Sequence, residues 1–291
     1  MTPEQRYTFD AAGFLYLPNA MDAEELRQAR EAVDRLMNTP HKELKGEFDY
    51  VDQGGVFHHY YHAFAFDKAL EHFVTHRATW PIIKELTAGK PALMRGNLKV
   101  DTHERDYLTL HSVREQTLEA SGFARDVHWT SPSGDRVYCD YFNIFWYFDD
   151  VRPGDGGVIM LPGSHKNTIP FPESIHETMA ELDYDYEKCI TNNILPHGLV
   201  NLAPNAGDVV IASDQVLHGG LRWKPKDRMR RFLVLRYSTQ YMLAYMSDGD
   251  INLPAGVMDR LSPETKELLA KEHLAHNKAI VAPATDVVVL S

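Results

Sequence analysis

The sequence predicts a mainly β protein, a jelly roll or barrel with flanking helices. Two observations carry that reading. Short runs rich in β-branched and aromatic residues recur from about residue 91 to 241, and Gly/Pro clusters such as Arg152-Pro153-Gly154-Asp155-Gly156-Gly157 punctuate them. Many short strands separated by such turns favour a jelly roll or barrel over a parallel α/β sheet.

Taken in order, Gly13-Phe14-Leu15-Tyr16-Leu17-Pro18 reads as a strand closed by proline. Asp22 then precedes a helix with apolar positions at Leu26, Ala29, Val33 and Leu36. Glu24 and Glu25 stand near its N-terminus, where the helix dipole favours acids. Further helices are expected over 67–74 and over 80–86, the second with Pro81 in its first turn. Strands are expected over 93–100, 136–139, 142–148, 158–161, 207–212 and 231–237. The tail over 262–278 is helical by pattern, with Ser262 as cap and Pro263 in the first turn. No internal repeat or low-complexity linker divides the chain. The expected organisation is a single domain over 1–291, with a helical part over about 1–90, a core over about 91–241 and a tail over about 242–291.

Composition narrows the function classes. The chain has 291 residues with 30 Lys+Arg against 41 Asp+Glu, a net charge of −11. Nucleic acid and anionic membranes need clustered cations, so neither is expected as the main partner. No apolar run approaches the roughly 20 residues of a membrane span, and the start shows no secretory pattern. Cys139 and Cys189 allow one disulfide but no framework, which fits a reducing cytoplasm. Dinucleotide, phosphate-loop, nucleophile-elbow and His-Glu-x-x-His motifs are absent.

The fifteen histidines therefore hold the chemical interest. His218 lies in Leu217-His218-Gly219-Gly220 after a strand, where a side chain can project into the mouth of a barrel. Arg228-Met229-Arg230-Arg231 follows about one hairpin later. A histidine-bound metal beside an arginine suits a small acid that chelates the metal and meets the guanidinium. A surface-turn histidine beside a solvated basic run is the bland alternative.

Four stretches resemble the phytanoyl-CoA dioxygenase family of iron(II)- and 2-oxoglutarate-dependent oxygenases. They are Phe9-Asp10-Ala11-Ala12-Gly13-Phe14 at the start and Asp149-Asp150-Val151-Arg152-Pro153-Gly154 through Leu161-Pro162-Gly163-Ser164-His165-Lys166. Ala206-Gly207-Asp208-Val209 leading to Leu217-His218-Gly219 is the third, and Arg230-Arg231-Phe232-Leu233 through Ser238 the fourth. The resemblance implies a cupin-like double-stranded β-helix, iron held by two histidines and a carboxylate, and 2-oxoglutarate and O2 as co-substrates. It implies His218 as the distal iron ligand and Arg230 on the 2-oxoglutarate carboxylate, with Arg231 a lesser candidate. Trp146 falls where family members often place an aromatic against the co-substrate, although a core aromatic is as good a reading.

The proximal half departs from the family's His-x-Asp. His111 matches the histidine, but Val113 stands in the acid's place; His128 is the alternative ligand and also lacks an acid. Glu115, Asp126 and Asp140 are the nearest carboxylates. The expected activity is hydroxylation of a small organic molecule. The alternatives are an iron/2-oxoglutarate halogenase and a non-catalytic, cupin-like ligand-binding protein. His58, His59 and His62 are expected to line a pocket or the surface, and His165 to shape its turn. Tyr60-Tyr61 and Tyr184-Asp185-Tyr186 are plausible pocket walls.

Overall fold

A computed structural model describes residues 1–44, 48, 50–52, 57–102, 108–113, 128–167, 169, 171–172, 174, 195–240 and 253–269. The predicted tyrosine wall at 184–186, Cys189, Glu115 and Asp126 lie outside the described residues. The chain opens with α1 (Pro3–Ala12), β1 (Phe14–Leu17), α2 (Ala23–Asn38) and α3 (His41–Leu44). The hairpin β2 (Tyr50–Asp52) and β3 (Phe57–Tyr60) precedes α4 (Lys68–Glu71) and α5 (Trp80–Leu86). Next come β4 (Pro91–Asp101), β5 (Leu108–His111), β6 (His128–Thr130), β7 (Val137–Cys139), β8 (Tyr141–Tyr147) and β9 (Gly157–Met160). The described chain finishes with β10 (Val200–Asn201), β11 (Val209–Ser213), β12 (His218–Leu221), β13 (Arg230–Thr239), α6 (Ala255–Arg260) and α7 (Pro263–Leu269).

Several elements follow directly from local chemistry. Asp22 accepts from the amides of Glu24 and Glu25, and Glu25 reaches back to the Asp22 amide, so a capping box starts α2. The helix α1 was not anticipated, because only Phe9 of its ten residues is buried and no apolar stripe marks it. Its signal is instead the Thr2–Gln5 capping box with Pro3 in the first turn. The helix expected over 67–74 divides into α4, capped by Asp67, and a 3-10 turn at His72–Thr75. His218 follows β11 across a short turn and itself opens a strand.

Among the described residues, seven strands form one sheet in the order β1-β11-β8-β13-β4-β3-β2, and four form a second in the order β10-β9-β12-β5. All described pairings are antiparallel. Period-two alternation divides the large sheet into two faces. Its outer face carries Ile144, Trp146, Ile211, Leu233 and Leu235, packed in one buried cluster with Ala29, Val33 and Leu36 of α2. Its inner face presents Phe145, Tyr147, Val210 and Phe232, clustered with Val158 and Met160 of the small sheet. A sandwich closed by helices on one side thus leaves the cavity between the sheets as the place for chemistry.

Candidate active site

The small sheet brings two histidines together. His218 at the start of β12 pairs with His111 at the end of β5, and their rings lie 4.3 Å apart, centroid to centroid. The Nδ1 of His218 is 2.7 Å from the Val216 carbonyl. A carbonyl only accepts, so the proton sits on Nδ1 and the lone pair on Nε2. Burial is the main cause that holds the His218 pKa below its ordinary value; neighbouring His111 adds to this, while the charge of Asp214 works the other way. A neutral imidazole is the form that binds metal.

Both histidines line a cavity shared with Lys99, Asn143, Phe145, Arg230 and Arg236. Arg230, Phe232, Val234 and Arg236 alternate along β13, so all four face inward. Arg230 is 3% exposed. Its Nε donates to Asp101 Oδ2 at 2.8 Å and its Nη2 bonds the same oxygen, while Nη1 is buried without a hydrogen-bond partner. A buried guanidinium N–H left unpaired costs free energy until an acceptor meets it. Gly157 keeps that side open: its φ is +97°, and a Cβ there would sit 3.0 Å from Nη1.

Other expected residues go elsewhere. Trp146 faces away from the cavity, buried 4.7 Å from the Phe73 ring and 4.8 Å from His76, because β8 alternates and Phe145 takes the inward position. Arg231 likewise turns outward, bonded to Asp149 and Asp34. His128 lies beneath α1, stacked on Phe9 at 5.0 Å and 4.4 Å from the His165 ring. Burial presses its pKa down to about 3. His165 holds the Pro-Gly-Ser-His turn against α1 through the Asp10 carbonyl. Asp140 accepts from the Thr239 hydroxyl at 2.9 Å and does not line the cavity.

Sequence reasoning missed Asp214, whose charge acts on His218. Asp214 follows β11, and its carbonyl accepts the Val113 amide at 3.0 Å. Its carboxylate accepts from Asn143 Nδ2 at 2.5 Å and lies 3.8 Å from Arg236. The available signal was its place four residues before His218; Asn143 and Arg236 had only strand alternation to mark them.

Among the described residues, one acid–histidine group has the close spacing of a metal triad: Glu25, His72 and His76, with ligand atoms within 4.8 Å. It lies between α2 and the turn after α4, away from the cavity. The Ala78 amide donates to His76 Nδ1 at 3.2 Å, which places the His76 proton on Nε2, aimed at Glu25 Oε1 3.0 Å away. Arg77 takes the same carboxylate. The group is a hydrogen-bonded ion cluster that fastens α2.

The chain matches the phytanoyl-CoA dioxygenase family over residues 9–232. It belongs to that family. A curated relative, dioxygenase af480 of Aspergillus fumigatus, is 25% identical over 134 residues, 46% of this chain; the match spans 37% of that protein's length. Among solved structures, HygX from Streptomyces hygroscopicus with nickel, 2-oxoglutarate and hygromycin B bound superposes with a TM-score of 0.66. The identity is 22%, covering 82% of this chain and 88% of that one. EctD from S. alaskensis with 2-oxoglutarate and 5-hydroxyectoine gives a TM-score of 0.60 at 17% identity, over 82% and 76% of the two chains. These likenesses establish the jelly-roll fold expected from the sequence. No described helix is long and apolar enough to cross a membrane.

Proposed function

We propose that this chain is an iron(II)/2-oxoglutarate-dependent oxygenase that hydroxylates a small organic molecule, with His111 and His218 on the metal and Arg230 on the distal carboxylate of 2-oxoglutarate. The observation that carries the reading is the His111–His218 pair and the unpartnered Arg230 Nη1 in one cavity. The spacing supports it. Met160 and Gly157 pair with His218 and Leu221 respectively, three residues apart, and Gly157 adjoins Arg230 Nη1. At roughly 3.3 Å per residue this separates the histidine pair from the arginine end by about 10 Å. A five-carbon dicarboxylate chelating a metal at one end and meeting a guanidinium at the other fits that distance. HygX and EctD, both crystallised with 2-oxoglutarate and a polar small molecule, support the same class of substrate.

Imidazole nitrogen suits iron(II), and the metal, when bound, supplies the one-electron and O2 chemistry. The balance is substrate C–H plus O2 plus 2-oxoglutarate giving substrate C–OH, succinate and carbon dioxide. The protein's share is placement and dryness. Val216 fixes the His218 tautomer, and Asp101 holds the Arg230 plane through Nε and Nη2, leaving Nη1 as the N–H that would meet the acid. Phe145, Val158 and Phe232 line the cavity between the two ends, where they keep water from the reacting centre.

An anaerobic titration with iron(II) and 2-oxoglutarate tests this. The expected result is a visible charge-transfer band, followed by succinate release on admitting O2. His218→Ala and His111→Ala are expected to abolish the band, and His128→Ala to keep it. No band and no succinate would leave the ligand-binding reading, and a chloride-dependent band shift would favour the halogenase.

A further inference from the structure

A divalent ion held by two neutral imidazoles lacks a compensating charge, and the cavity around His111 and His218 is lined by Lys99, Arg230 and Arg236, with no carboxylate among the described lining residues. Arg230 already has Asp101 as its counter-charge. Position 113, two residues beyond His111, is valine. Resting on the iron reading above, we infer that Asp214 is the acid of this metal site, supplying from the turn before His218 the negative charge that position 113 lacks.

Three observations converge. First, the Val113 amide donates to the Asp214 carbonyl at 3.0 Å, so the segment after β5 meets the turn between β11 and β12. Second, the Asp214 side chain is 5% exposed and is held by Asn143 and beside Arg236, two residues that line the cavity themselves. A buried carboxylate is expensive to desolvate, and Arg236 at 3.8 Å offsets only part of that. Third, Asp214 is four residues from His218, whose Nδ1 proton is fixed by the intervening Val216 carbonyl. One turn thus carries a metal ligand, the group that orients it and an acid. Asp214 stands back from the histidine pair: it belongs to no described group with ligand atoms all within 4.8 Å. Its role is therefore argued from charge rather than from a bond to the metal.

The test uses the full chain and Co(II) as the probe, with affinity and stoichiometry read by calorimetry. Asp214→Asn keeps the oxygen that accepts from Asn143 and removes only the charge. It is expected to weaken Co(II) binding at least tenfold. Adding Val113→Asp to Asp214→Asn is expected to restore the affinity to within about threefold, since the charge returns beside His111. Unchanged affinity in Asp214→Asn overturns the inference and leaves the proposed function standing. Weakening that Val113→Asp does not rescue also overturns it, because the residue then acts only on local structure. A wild-type chain that takes up no Co(II) brings down the iron reading and this inference together.

Discussion

Arg230 shows how one residue's surroundings select its task. Asp101 occupies Nε and Nη2, the Trp223 and Phe232 rings flank the guanidinium at 5.3 and 5.1 Å, and Nη1 alone is left over. Lysine cannot hold Asp101 and offer a second directed N–H from the same plane. Arg230→Lys is therefore expected to raise the KM for 2-oxoglutarate by about 10- to 100-fold, the worth of one charge-assisted hydrogen bond of roughly 1.5–3 kcal/mol. A steady-state titration of the co-substrate measures it. Trp146 makes the opposite case. Its indole is fully buried among Phe73, His76 and Phe148 neighbours on the helix side of β8. Trp146→Phe is expected to lower stability by about 1–3 kcal/mol while leaving the 2-oxoglutarate KM unchanged. A matching rise in KM would return Trp146 to the cavity.

At the scale of elements, the segment joining α1 to β1 supports the strand that carries His218. The Gly163 amide donates to the Ala12 carbonyl at 3.0 Å, and the Ser213 amide to the Gly13 carbonyl at 2.9 Å. Ser164 Oγ accepts the Leu217 amide at 2.8 Å, one residue before His218. Gly13 has φ +82°, and a Cβ there would meet Val216 Cγ2 at 2.3 Å and His165 Nδ1 at 2.5 Å. Gly13→Ala thus combines backbone strain with a collision against the residue whose carbonyl orients His218. The expected outcome is a loss of about 1–3 kcal/mol in denaturant unfolding, together with weaker Co(II) binding than in the wild type. Intact metal affinity in a destabilised Gly13→Ala would separate the turn from the site.

For the whole molecule, buried histidines give stability a pH dependence of known sign. The pKa of His128 is pressed to about 3 by burial, and those of His76 and His218 are also lowered mainly by burial. In the unfolded chain each titrates near its ordinary value, so between about pH 6.5 and the depressed folded value the unfolded state binds more protons. Stability therefore falls as pH drops through that window, by up to ~1.4 kcal/mol per unit for one such group. His128→Leu, measured by urea unfolding from pH 7 to 4, is expected to flatten the slope relative to wild type. An unchanged slope would show that His128 is not a source of it. The same scale explains why the net charge of −11 says little about the cavity, whose lining is cationic.

Much of the fold was legible in the sequence, because β4, β8, β11 and β13 are long or strongly apolar runs, and turns announce themselves through Gly and Pro. Short pairings such as β3 with β4, and a helix with one buried residue such as α1, carry too little local pattern to be read. The motif order likewise determined the family and marked His218, His111 and Arg230. Only the tertiary structure placed His111 rather than His128 beside His218, turned Trp146 and Arg231 away, and brought Asp214 beside Val113. The physical reason is that which histidines meet depends on which strands pair across the small sheet and which face each residue takes. Cross-strand register and a hydrogen bond between residues 101 positions apart, as between Val113 and Asp214, leave no trace in local composition.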